Sequence, residues 1–147
     1  MERQLMTEEL IQFDVEAGSR EEVIAKMTQF MKADDRLLDW QGYEKDVLFR
    51  ESQASTAVGF MTATPHAKSA SVKVPSLAFM RLKQPMQWDD NEKVSLVFQV
   101  AVPAQGQGDR HLEILAALFR KLIHDDFRED LMRADTIEKV LELVGEL

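Results

Sequence analysis

No cysteine occurs anywhere in the 147 residues. Disulfides, thiolate metal sites and thiol nucleophiles are thereby excluded, so any covalent chemistry must use another side chain. No apolar run approaches the ~20 residues of a membrane span, and the opening "MERQLMTEEL" lacks the apolar core of a secretion signal. The cytoplasm is the expected location. Lys and Arg are in deficit, 18 against 26 Asp and Glu, for a formal net charge of -8. That balance argues against a nucleic-acid partner, which needs clustered cations to neutralise phosphates. Proline and glycine are sparse, 4 and 6 residues, and no repeat, low-complexity tract or linker divides the chain. One domain over residues 1–147, built on one core, is expected.

What is present is a succession of short periodic segments. "LIQFDVEA" (Leu10 to Ala17) alternates as a strand. Ser19 with Glu22 three residues on is a capping-box signature, and Val23, Ile24, Met27, Phe30 and Met31 then recur at helical spacing. A second helix is expected from Trp40 to Arg50, with Trp40, Tyr43, Val47 and Leu48 on one face. Leu77 to Leu82 alternates, "QPMQWDDNEK" reads as a polar loop, and Val94 to Val102 is a strand covered on both faces. Asp109 is the expected N-cap of a strong helix whose core stripe is Leu112, Leu115, Phe119 and Leu122. Two short helices close the chain, the second capped by Asp135 with Glu138 in the box position. The fold class is α/β: a single-domain sandwich, a mixed sheet flanked by helices on both faces. The strand order is not legible.

The three histidines carry the chemical signal. His124, in "LIHDDF", reads as a surface residue at a helix end. His111 lies two residues past Asp109, with Leu115, Leu118 and Leu122 at i+4, i+7 and i+11. It is either a core-edge histidine or a donor beside the free N–H groups of a helix N-terminus, where anions bind. His66 follows Pro65, whose fixed φ and restriction of Thr64 make Ala63 to His66 a stiff strand end that projects the ring at a set angle. Gly59 and the small Thr62, Ala63 and Thr64 permit close backbone packing on the way. By itself a Pro-His pair is equally a turn.

The order of motifs decides between these readings. "RESQASTAVGFMTATPHAKS", "VPSLAFMRLKQPMQW", "VSLVFQVAVP" and "DRHLEILAALFRKL" together resemble the enzyme IIA domains of the fructose–mannitol class of the bacterial phosphoenolpyruvate:sugar phosphotransferase system. The resemblance runs from Ser19 to the C-terminus and rests on Arg50, Glu51, Thr56, Gly59, Pro65, His66, His111 and Leu112. Two positions depart from the family: Ser55-Thr56 stands where Pro-Thr is common, and Thr64 where a small apolar residue precedes the proline. The run "PHAKS" leans toward the fructose branch.

The resemblance implies a phosphocarrier without cofactor or metal. His66 would accept a phosphoryl group on its tele nitrogen from the phosphocarrier protein HPr. It would pass the group to a IIB domain of a IIB–IIC membrane transporter, feeding uptake of a fructose-like sugar. A neutral imidazole is a competent nucleophile near pH 7, and phosphoryl transfer asks mainly for positioning and for stabilised charge on the oxygens. Arg50 would supply a fork-shaped cation, His111 a further donor to the same oxygens, and Thr56 a hydroxyl in the substrate site. A backbone carbonyl is expected on the other ring nitrogen of His66. Two alternatives stand beside this reading: a regulatory IIA-like phospho-acceptor not dedicated to transport, and a metal-dependent hydrolase using His66, His111 and Asp109, Asp125 or Asp126.

Overall fold

A computed structural model describes residues 3–145 and residue 147. A turn of 3-10 helix (Glu8–Leu10) enters strand β1 (Ile11–Val15), followed by helices α1 (Arg20–Ala33) and α2 (Trp40–Gln53). Strands β2 (Thr62–Ala63), β3 (His66–Ser69), β4 (Ser76–Gln87) and β5 (Lys93–Pro103) come next, then α3 (Arg110–Leu122), α4 (Asp125–Arg133) and α5 (Ile137–Val144).

The sheet runs β1-β4-β5, with β2 and β3 in succession along the free side of β5. β4 and β5 are antiparallel; β1 is parallel to β4, and β2 and β3 are parallel to β5. β5 is central, and Val94 to Val102 are all buried, as its nearly continuous apolar run predicts. Both faces of the sheet are covered. Gln99 donates from Nε2 to Thr28 Oγ1 of α1 at 3.2 Å. Arg81, paired with Leu96, points to the other face and donates to the Leu131 and Ala134 carbonyls at the end of α4, at 3.0 and 2.6 Å. Residues 96 and 99 differ by an odd step along β5, so the two helical layers lie on opposite faces. The expected mixed-sheet α/β sandwich is what forms.

Local signals explain most element ends. Ser19 Oγ accepts from the Glu22 N–H at 3.1 Å, while the Glu22 carboxylate reaches back to the Gly18 N–H at 2.7 Å, one residue before the usual box partner. Gly42 lets α2 lean on the loop after β3, because a Cβ there would lie 2.3 Å from Ser71 Oγ.

Four expectations are corrected. β4 continues through "KQP" to Gln87, so the turn is confined to Trp88–Glu92, where the Trp88 N–H donates to the Glu92 carbonyl. Pro85 is tolerated because β1 pairs with β4 only as far as Leu82, and the β4–β5 register shifts between Arg81 and Met86. The buried stripe of α3 is Ile114, Leu115, Leu118 and Leu122, whereas Leu112 is 54% exposed and Phe119 is 37% exposed. Asp109 occupies the N-cap position of α3 but its carboxylate makes no cap bond. The last helix is capped by Thr136, whose hydroxyl accepts from the Lys139 N–H, and not by Asp135.

Candidate functional site

The segment that leads to His66 is built as a small hairpin that ends in a break. Thr64 N–H donates to the Thr56 carbonyl at 3.0 Å and Val58 N–H to the Thr62 carbonyl at 2.9 Å. The reversal uses three successive left-handed residues, Gly59, Phe60 and Met61, at φ 85°, 58° and 58°. Glycine takes this conformation freely, whereas Phe60 and Met61 hold it at a cost. The Met61 carbonyl accepts from Ser95 and Leu96, and the Arg128 guanidinium lies 4.1 Å from the Phe60 ring centroid. Past Thr64 and Pro65 the chain rejoins β5, with the Pro65 carbonyl accepting from Val100 and His66 paired to Val100. His66 therefore opens β3 directly after the break. Opposite, Tyr43 of α2 donates its hydroxyl to the Val100 carbonyl at 3.0 Å, which ties α2 to the residue facing His66. Burial pushes the Tyr43 pKa up, so this hydroxyl stays a donor.

His66 Nδ1 lies 2.8 Å from the Thr64 carbonyl. A carbonyl only accepts, so Nδ1 carries the hydrogen and Nε2 is left with its lone pair. This is the backbone contact expected from the sequence. Burial, foremost, holds the His66 pKa below its ordinary value, with the Arg50 and His111 charges acting the same way against the Thr64 bond and Glu51. At pH 7 the neutral ring predominates, with Nε2 unprotonated.

Three expected site residues meet. Arg50, His66 and His111 line one cleft of about 390 Å³. Arg50 reaches it from the last turn of α2 and donates from Nη1 to the Ala54 carbonyl at 2.8 Å. His111 enters from the first turn of α3, and its Nδ1 is enclosed without a hydrogen-bond partner among the described residues. A buried unpaired polar atom weakens a fold, and Arg36 Nη2 and Gln99 Oε1 are two others among the described residues, but only the His111 nitrogen belongs to a residue that lines the cleft.

Thr56 is placed elsewhere. It is buried, and its hydroxyl and N–H both donate to the Glu51 carboxylate at 2.7 Å. It does not line the cleft. The Thr64 hydroxyl, likewise, turns from the ring to the Thr56 carbonyl at 3.4 Å. His124 is exposed in the joint between α3 and α4.

Four further residues line the cleft, Asp46, Phe49, Ala67 and Lys68, none of them singled out from the sequence. Lys68 lies two residues beyond His66 on β3, so the period of a strand sets both on one face, a signal that was available. Its ammonium donates to the Gly108 carbonyl at 2.8 Å, and Asp46 accepts from the Ser69 hydroxyl at 2.6 Å. Two cations thus overlook the cleft against one carboxylate. Among the described residues no group of three or more His, Asp or Glu is placed to hold a metal ion, so the hydrolase alternative has no ligand set there.

Comparison with known proteins identifies the family. The family model described as "Phosphoenolpyruvate-dependent sugar phosphotransferase system, EIIA 2" matches residues 4–146. The chain is 33% identical over 145 residues to the PTS system fructose-specific EIIABC component of Bacillus subtilis, covering 97% of this chain and 23% of that protein. It therefore spans about a quarter of the length of that relative. It is 35% identical over 141 residues to the PTS system fructose-specific EIIA component of Haloferax volcanii, covering 95% of this chain and 91% of that one. Among solved structures, the nitrogen regulatory protein IIA-Ntr of Neisseria meningitidis superimposes with a TM-score of 0.87 at 29% identity, over 95% of this chain and 96% of the other.

Proposed function

The chain belongs to the EIIA 2 family of the phosphoenolpyruvate-dependent sugar phosphotransferase system, and on that premise we propose that it is a phosphocarrier whose acceptor is Nε2 of His66. The observation that carries this is the bond from His66 Nδ1 to the Thr64 carbonyl, in a cleft shared with Arg50 and His111. The donor is phospho-HPr. As Nε2 attacks phosphorus, the phosphorus–nitrogen bond to the HPr histidine breaks and a new one forms to His66. In the second step that bond breaks and the group moves to a IIB domain, onto a cysteine sulfur. No water enters, so the phosphoryl potential is kept. Arg50 spans phosphoryl oxygens with its fork, and His111 donates to them from the helix end. No helix among the described residues is long and apolar enough to cross a membrane. The chain acts in the cytoplasm, and the membrane step belongs to a IIC partner that selects the sugar, of fructose type.

The test is incubation with phosphoenolpyruvate, enzyme I and HPr. One acid-labile, alkali-stable phosphoryl group per chain is expected on the wild type and none on His66→Ala; label that persists on the variant refutes the assignment. A regulatory phospho-acceptor is the second reading, favoured by the likeness to a nitrogen regulatory protein. Chase of the label onto a purified fructose-type IIB domain separates the two, since only the transport reading requires it.

A further inference from the structure

Glu51 follows Arg50 on α2, a step of about 100° around the helix, and is buried. Its side chain is 2% exposed, and it lies outside the cleft that Arg50 lines. Every contact that its carboxylate makes is with a donor. Oε1 accepts from the Thr56 hydroxyl at 2.7 Å. Oε2 accepts from the Thr56 N–H at 2.7 Å and from the Trp88 indole N–H at 3.1 Å, with Arg20 Nη1 4.0 Å away. The carboxylate therefore clamps three separate parts of the chain: the start of the hairpin, the β4–β5 turn and the first residue of α1.

From Thr56 the connection continues. The Thr56 carbonyl accepts from the Thr64 N–H at 3.0 Å and the Thr64 hydroxyl at 3.4 Å. The Thr64 carbonyl then accepts from His66 Nδ1 at 2.8 Å. Only two residues, both buried, stand between the Glu51 carboxylate and the ring. We propose that Glu51 is a positioning residue for phosphoryl transfer: through Thr56 and Thr64 it sets the carbonyl that fixes the tautomer and angle of His66, with Trp88 holding the carboxylate in place. It touches no reacting atom.

The idea rests on reading His66 as the acceptor, but its test does not. The ring nitrogens of His66 are followed by nitrogen NMR in unphosphorylated protein, in the wild type, Glu51→Ala and Glu51→Gln, alongside the rate of transfer from phospho-HPr. In Glu51→Ala the carbonyl loses its anchor. The Nε2–H form of the ring should gain about fivefold relative to the Nδ1–H form, the factor a single hydrogen bond contributes. Transfer should slow on the order of tenfold, as expected of a misaimed nucleophile. Glutamine restores the clamp: its amide oxygen accepts from Thr56 and Trp88, while its amide N–H₂ donates to the Thr56 hydroxyl, which acts either way. Glu51→Gln should therefore keep the wild-type ring signals and transfer within about twofold of wild type.

Folded Glu51→Ala with wild-type ring signals overturns the proposal, however much stability it has lost. Should that variant not fold, Thr56→Val and Trp88→Phe each remove one donor to the carboxylate. A smaller shift of the ring signals in the same direction supports the proposal, and wild-type signals in both overturn it. Expected ring signals in a protein that takes no label would instead sink the phosphocarrier reading and leave the positioning of the ring standing.

Discussion

Replacing Arg50 separates a residue that holds the fold from one that serves the phosphoryl group. Its guanidinium stands at the end of α2 on the wall of the cleft, and one of its five N–H groups is used on the Ala54 carbonyl at 2.8 Å. The remaining donors and the charge have no acceptor among the described residues, and on the proposed function they serve the phosphoryl group. A phosphohistidine brings close to two negative charges into a chain that already carries -8. A hydrogen bond to a charged group contributes about 1.5–3 kcal/mol, so Arg50→Ala should transfer roughly ten- to a hundredfold more slowly. Arg50→Lys keeps the charge and loses the fork, and should fall between the two. The bond to Ala54 is exposed and contributes about 0.5 kcal/mol. At about 2–4 °C per kcal/mol for a domain of this size, the melting midpoint of Arg50→Ala should drop by no more than about 2 °C. Rapid-quench transfer from radiolabelled phospho-HPr gives the first quantity and calorimetry the second. Transfer at the wild-type rate with melting several degrees lower would refute the reasoning and leave Arg50 as a helix-end residue.

Burial holds the His66 pKa below the ~6.5 of an unfolded histidine. Between ~6.5 and the folded value the unfolded chain binds the extra proton, so the stability difference between wild type and His66→Gln should be constant above pH ~6.5 and move against the wild type as pH falls below it; urea titrations at pH 7.5 and 5 check this, and a pH-independent difference refutes it. His111→Leu removes the enclosed Nδ1 that has no partner, so it should unfold no earlier than wild type while transferring about tenfold more slowly; an unaltered rate returns His111 to the core edge. Gly59→Ala forces an L side chain to φ 85° and should cost about 1–2 kcal/mol, read as a lower denaturation midpoint; an unchanged midpoint would show that the turn relaxes freely.

Much of the layered architecture was legible because β5 is nearly continuously apolar and α1 carries a strong N-terminal signal at Ser19. The register of α3 was less so. Two stripes share Leu115 and Leu122, and only what lies opposite chooses Leu118 over Phe119. Extension of β4 past Pro85 depended on β1 stopping at Leu82, a pairing that no local window contains. The site shows the same division. His66, His111 and Arg50 were named from motifs whose spacing survives in one dimension. Thr56 was expected at the substrate, but the hydroxyl is claimed by Glu51, five residues back and inside the core. Lys68 was within reach of a period-two count and was passed over.

The pairing of β1 with β4 and of β3 with β5 joins segments far apart in the chain, Ile11 to Phe79 and His66 to Val100. Contacts of that separation form late and slowly in folding, since loops must close before the pairing returns anything. Arg50, His66 and His111 are carried by α2, β3 and α3, so the cleft is complete only once α2 has packed on β3 and α3 on β5. During synthesis His66 emerges from the ribosome well before the strand that orients it. On the proposed function, a half-folded chain offers the donor a histidine without its neighbours in the cleft and should be a poor acceptor. Labelling of His66 should lag helix formation in a refolding time course and rise with the last phase of sheet assembly.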